Sequence, residues 1–91
     1  MKAFLDEIRD RILIYDGSKG YMLQQLGLKG GECGEEWNLS RPELVKRIYS
    51  SYKASGADVI QTNTFTGSRV HLEKHGFGGQ VYEMNYRGAA L

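Results

Sequence analysis

The chain lacks most of what would place it in a special class. It has one cysteine, Cys33, which excludes an intrachain disulfide framework and fits a reducing compartment. The cytoplasm is therefore the expected location. No apolar run approaches the roughly 20 residues that a membrane span needs, so no membrane partner is expected. Charge of one sign is also missing. Twelve Lys and Arg against eleven Asp and Glu leave a net charge of +1, with acids and bases interspersed. A nucleic-acid or anionic-membrane partner gets no electrostatic support from that balance. The amino terminus, MKAFLDEIRDR, is amphipathic and charged, unlike a secretory signal. There is no low-complexity segment and no internal repeat. What remains, 41% apolar and 25% charged residues in 91 positions, is an ordinary globular composition for at most one domain.

The most informative stretch runs from Leu39 to Phe65. Ser40-Arg41-Pro42-Glu43 has the spacing of a capping box, with proline where a first-turn amide needs no acceptor. Leu44, Val45, Ile48, Tyr49 and Tyr52 then recur at helical spacing, while Lys46, Arg47, Ser50 and Lys53 fall on the opposite side. Gly56 stops this helix by taking the left-handed conformation. Ala57-Asp58-Val59-Ile60 suits a strand covered on both faces. Gln61-Thr62-Asn63-Thr64 follows, four polar residues that packing alone does not require. The carboxyl ends of parallel strands are where α/β folds bind ligands, which makes this end a candidate site.

The rest of the chain repeats the scheme. A short amphipathic helix is expected over residues 2–10, with Phe4, Leu5 and Ile8 on one side. Ile12-Leu13-Ile14-Tyr15 reads as another strand, ending in Asp16-Gly17-Ser18-Lys19-Gly20. Helices are expected over 21–26, 69–75 and from Gln80 onward, the last with Val81, Met84 and Ala89 inward. Residues 30–34 form a glycine-rich loop. The order is helix, strand, helix, strand, helix, an α/β arrangement with two parallel strands. Two such strands leave unpaired edges, so the simplest expectation is that residues 1–91 open a larger, incomplete domain.

Four motifs occur in order: Asp16-Gly17-Ser18-x-Gly20, Asn38-Leu39-x-x-Pro42, Tyr52-x-x-Ser55-Gly56-Ala57-Asp58 and Thr62-Asn63-Thr64-Phe65. Together they resemble the homocysteine S-methyltransferase family, in particular its homocysteine-binding domains of the cobalamin-dependent type. The resemblance implies a (β/α)8 TIM barrel of roughly 250 residues, of which this chain would supply strands 1 and 2 with their helices. It also implies methyl transfer to the zinc-bound thiolate of homocysteine, giving methionine. The three zinc-binding cysteines lie in later strands, so no catalytic residue and no metal ligand is assigned to this chain. Cobalamin or a folate methyl donor would act through other domains.

Under that resemblance, Asp16, Gly17, Ser18, Thr62, Asn63 and Thr64 position the amino-acid end of homocysteine. A carboxylate suits an ammonium, and backbone amides in a glycine turn suit a carboxylate. From the residues alone, Asp16-Gly17 reads first as a simple turn, and the threonines and asparagine equally serve the next loop or helix cap. Phe65 is expected as a wall of the pocket or part of the core. Lys19 and Tyr21 stand where the family usually has an apolar residue and a threonine; an exposed lysine is the ordinary expectation. A corrinoid-linked methyltransferase with another acceptor is one alternative. A non-catalytic truncated chain, or a subunit that completes its barrel with a partner, is another, and a free-standing ligand-binding module a third. His71 and His75 match neither HExxH nor its inverse, and are expected on a solvated helix. Trp37 and the six tyrosines are expected to pack.

Overall fold

A computed structural model describes residues 3–91. Helices dominate it. α1 spans Phe4–Asp10, α2 Lys19–Gln25, α3 Trp37–Ser40, α4 Pro42–Ala54, α5 Arg69–Lys74 and α6 Val81–Ala90, with 3-10 turns at Gly34–Glu36 and Gly78–Gln80. Lys2, the expected start of the first helix, lies outside the described residues.

The helix borders follow local chemistry. Ser18 caps α2 by accepting the Tyr21 amide at 3.1 Å, which moves the start of the helix ahead of Tyr21 to Lys19. Ser68 caps α5 in the same way through the His71 amide. Gly56, with φ +106°, ends the α4 region as expected. The capping box at Ser40 does not form. Ser40 is the last residue of α3, and its hydroxyl donates to the Glu36 carboxylate at 2.8 Å. Arg41 takes the cap position of α4 without a side-chain bond, and Pro42 opens the helix. The Trp37–Ser40 turn uses up the serine that the spacing reserved for the next helix.

α4 buries Val45 and Ile48 and half-buries Leu44, Tyr49 and Tyr52, while Lys46, Arg47, Ser50 and Lys53 stay exposed. Leu23 and Trp37 complete this first cluster. A second cluster joins Cys33, Leu72 and Met84, flanked by Leu39, Phe77 and Val81. In α6, Met84 and Gly88 face inward, whereas Ala89, expected inside, is exposed. Gly88 replaces it because a Cβ there would meet Asn38 Nδ2 at 2.7 Å. Trp37 packs, but Tyr15, Tyr21, Tyr82 and Tyr86 are exposed, and only Tyr49 and Tyr52 are partly covered.

The two extended segments run parallel, yet they do not form strands among the described residues. They meet at one bridge between Tyr15 and Val59. Three amides support it: Val59 N–H and Asp58 N–H donate to the Ile14 carbonyl at 3.1 and 2.8 Å, and Asp16 N–H donates to the Val59 carbonyl at 3.0 Å. Asp58 extends the joint, accepting the Ile14 amide and the Arg11 guanidinium, each at 3.1 Å. Ile12 is 89% exposed and Ile14 60%, so the two-sided cover expected of a parallel strand is not formed among the described residues. Two segments cannot satisfy each other's outer edges, which limits pairing to the bridge. α1 buries no residue, and its Phe4, Leu5 and Ile8 are exposed. No helix among the described residues is long and apolar enough to cross a membrane.

Candidate functional site

The Tyr15–Val59 bridge fixes the site because both segments leave it in the same direction. Residues 16–20 and 61–66 therefore emerge side by side, although about 45 residues separate them in sequence. Between them lies a cleft of about 500 Å³. Gly17, Ser18 and Lys19 line one side, and Gln61, Thr62, Asn63, Phe65 and Thr66 the other, with Leu23, Leu28, Gly34 and Glu35 closing the base.

Four of the six expected residues, Gly17, Ser18, Thr62 and Asn63, thus share one cleft. Gly17 is required by proximity: a Cβ there would sit 2.8 Å from the Tyr52 hydroxyl, which donates to the Ser18 carbonyl at 2.8 Å. Tyr52 thereby ties the glycine turn to α4. Thr62 pairs its hydroxyl with that of Thr64 at 2.7 Å. Thr64 itself lies off the cleft wall and reaches it only through Thr62.

Asn63 faces the cleft but is committed inward. Its side-chain amide donates to the Gly34 carbonyl at 2.9 Å and to Asn38 Oδ1 at 3.0 Å, and its backbone amide donates to the Tyr49 hydroxyl at 2.7 Å. Asn38 Nδ2 returns two bonds of 2.9 Å, to the carbonyls of Asn63 and Met84. The Tyr49 hydroxyl donates to the Gly88 carbonyl at 2.8 Å. Burial pushes the Tyr49 phenol pKa up; the Asn63 amide opposes this, and the charge of Asp16 adds to it. This buried lattice ties α3, α4 and α6 to the backbone of the cleft. Asn38 carries it, and the sequence motif places Asn38 only at a helix entry.

Asp16 sits behind the wall rather than on it. Its side chain is 1% exposed; one oxygen takes the Lys19 ammonium and the Gln61 amide, the latter at 3.1 Å. No group among the described residues donates to its other oxygen. Lys19 is only 13% exposed, contrary to the expectation of an exposed lysine, because Asp16 draws its ammonium back over the start of α2. The base of the cleft holds a second carboxylate that sequence reasoning missed. Glu35 is buried and accepts the Thr66 hydroxyl and amide, at 2.5 and 3.3 Å. Nothing in a glycine-rich loop signals a buried glutamate. Phe65, by contrast, is a wall residue as expected, 97% exposed.

A family model described as homocysteine S-methyltransferase matches residues 13–91. The chain belongs to the homocysteine S-methyltransferase family. Its curated relatives include methionine synthase of Mycobacterium tuberculosis, 30% identical over 95 residues that cover 96% of this chain and 8% of that protein. Methionine synthase of Mycobacterium leprae is 28% identical over the same shares. The chain thus spans about 8% of the length of these relatives.

The family's chemistry implies zinc, and the residues here do not form a site for it. Among the described residues, no three His, Cys, Asp or Glu side chains come together to hold a metal ion. Cys33 is buried, its thiol pKa raised by desolvation, with its sulfur 3.6 Å from the Glu35 carboxylate. His71 and His75 place their rings 5.1 Å apart at α5 and its cap, without a third ligand. The cleft offers hydroxyls, amides, one ammonium and one buried carboxylate. Groups of that kind can hold and orient a polar ligand.

Proposed function

We propose that residues 1–91 form the amino-terminal part of a (β/α)8 homocysteine-binding domain, and that the cleft positions the amino-acid end of homocysteine for methyl transfer to its sulfur, giving methionine. The observation that carries this reading is the convergence of Gly17 and Ser18 with Thr62 and Asn63 at the carboxyl ends of two parallel segments. That is where barrel enzymes bind substrates. Ser18 and Thr62 supply hydroxyls, and Gly17 lets a ligand approach the backbone. Asn63 and Thr64 act through the wall, the first by fixing its backbone and the second by orienting Thr62. Asp16, behind the wall, is the carboxylate that the substrate amino group reaches only in place of the Lys19 ammonium. Zinc, and cobalamin or a folate methyl donor, belong in this reading to residues outside this chain, and the cytoplasm is where the domain works.

The experiment joins this chain to a polypeptide that supplies the later strands and follows methionine formation from homocysteine. In the active assembly, Thr62→Val raises KM about tenfold with little change in kcat, as expected when one ground-state hydrogen bond is lost. An active assembly indifferent to Thr62→Val and Ser18→Ala contradicts the assigned roles.

A second reading, a non-catalytic chain that completes its fold on a partner, is favoured by a separate observation. Ile12 and Ile14 lie exposed next to a single parallel bridge, and Phe4, Leu5 and Ile8 of α1 are exposed as well. A purified chain that is monomeric and cooperatively folded argues against that reading.

A further inference from the structure

We propose that Lys19 is a specificity-determining residue: its ammonium occupies the place on Asp16 that the amino group of an amino-acid substrate would take, so such a ligand binds only by displacing it. The inference rests on the reading of this cleft as the site for the amino-acid end of a thiol substrate.

Three observations carry it. Lys19 Nζ lies on Asp16 Oδ2, with both side chains largely withdrawn from solvent. Lys19 lines the cleft and Asp16 lies directly behind it, so the pair borders the space a ligand would occupy rather than a remote surface. Among the described residues Asp16 has no second cation: its remaining bond is from the Gln61 amide, and its second oxygen is buried without a donor. A carboxylate with one ammonium already in place gains little from a second, and two ammonium groups at that spot repel. The lysine is built into the chain, so its effective concentration at Asp16 exceeds that of a dilute ligand. In this position Lys19 Nζ also lies over the Tyr49 ring, 6.0 Å from its centre, a cation–π contact that favours the paired arrangement.

It follows that the amino group of homocysteine contributes almost nothing to affinity while Lys19 is present. A thiol acid of the same length without the amino group, 4-mercaptobutanoate, then binds as well as L-homocysteine. Removing the lysine charge frees Asp16 and restores a charge-assisted hydrogen bond to the substrate ammonium.

The test is calorimetric titration of the full chain, wild type and Lys19→Met, with L-homocysteine and with 4-mercaptobutanoate. The expected result is a Kd ratio near one for wild type, and a preference of about tenfold or more for L-homocysteine in Lys19→Met. Lys19→Gln keeps an uncharged donor on Asp16 and takes the place of the methionine variant should that variant fail to fold; its ratio shifts in the same direction. Circular dichroism establishes folding for each. A wild-type preference of tenfold for L-homocysteine, unchanged in both variants, overturns the role of Lys19 and leaves the cleft assignment standing. Failure of either thiol to bind any of the folded proteins overturns the cleft assignment, and this inference with it.

Discussion

Asn38→Ala is the substitution whose cost the structure defines best. Asn38 is 1% exposed and takes part in three hydrogen bonds of 2.9 to 3.0 Å. The losses are unequal. The Met84 carbonyl lies inside α6, where the helical amide four residues on still serves it. The Asn63 side-chain amide keeps the Gly34 carbonyl. The Asn63 carbonyl is left without the Asn38 donor in a buried position, which costs about 1–3 kcal/mol. The other two bonds add about 0.5–1.5 kcal/mol each, and the three are coupled rather than additive. The sum is about 3 kcal/mol, against a total on the order of 5–14 kcal/mol for a chain of this size. For a domain of this length the midpoint falls by at least about 12 °C. Urea denaturation followed by far-ultraviolet circular dichroism measures the free-energy loss and a thermal scan the midpoint, with exposed Ser50→Ala as the control, expected within about 0.5 kcal/mol of wild type. A loss below about 1 kcal/mol for Asn38→Ala, with an unchanged denaturant slope, refutes the claim that this lattice holds the cleft together.

Three further outcomes follow from the same geometry. Gly88→Ala gains helix propensity of about 1 kcal/mol, yet its Cβ would lie 2.7 Å from Asn38 Nδ2 and 3.2 Å from the Asn63 carbonyl; a net melting-temperature decrease is expected, and it shrinks when Asn38→Ala is combined with it. The Asp58 carboxyl pKa is lowered, first by the Ile14 amide and then by Arg11. Its stabilisation is therefore full above the ordinary carboxylate pKa and lost as pH falls through the lowered value, so Asp58→Asn has a shallower fall in melting temperature than wild type between about pH 6 and pH 3. Cys33 is buried with its thiol pKa raised, so reaction with a disulfide reagent near pH 8 is slow in the native chain and fast in urea; immediate reaction without urea contradicts that burial.

The sequence disclosed what depends on neighbours along the chain. The polar and apolar faces of α4, the stop at Gly56 and the direction of the two extended segments all follow from local spacing. So does the convergence of Gly17, Ser18, Thr62 and Asn63, because the residues that follow two parallel segments emerge at the same end. What stayed hidden depends on partners far away in sequence. Ser40 fits a capping box by spacing, but the Trp37–Ser40 turn claims it first. Asn38 and Glu35 acquire their roles only when residues 63–66 and α6 arrive beside them. Asp16 and Lys19 stand three positions apart, a spacing that does not distinguish a surface pair from one drawn into a cleft wall. The apolar runs over 12–15 and 57–60 suit strands by composition, but pairing beyond one bridge needs edges that two segments do not provide for each other.

The central claim is that the cleft between residues 16–20 and 61–66 receives the amino-acid end of a thiol substrate. Chemical-shift mapping tests it most directly, with nitrogen-15-labelled chain titrated with L-homocysteine. The account predicts saturable shifts at the amides of Gly17, Ser18, Thr62 and Thr66, while the amides of α1 and α5 stay fixed. Shifts confined to other surfaces, or none at millimolar ligand, would contradict it.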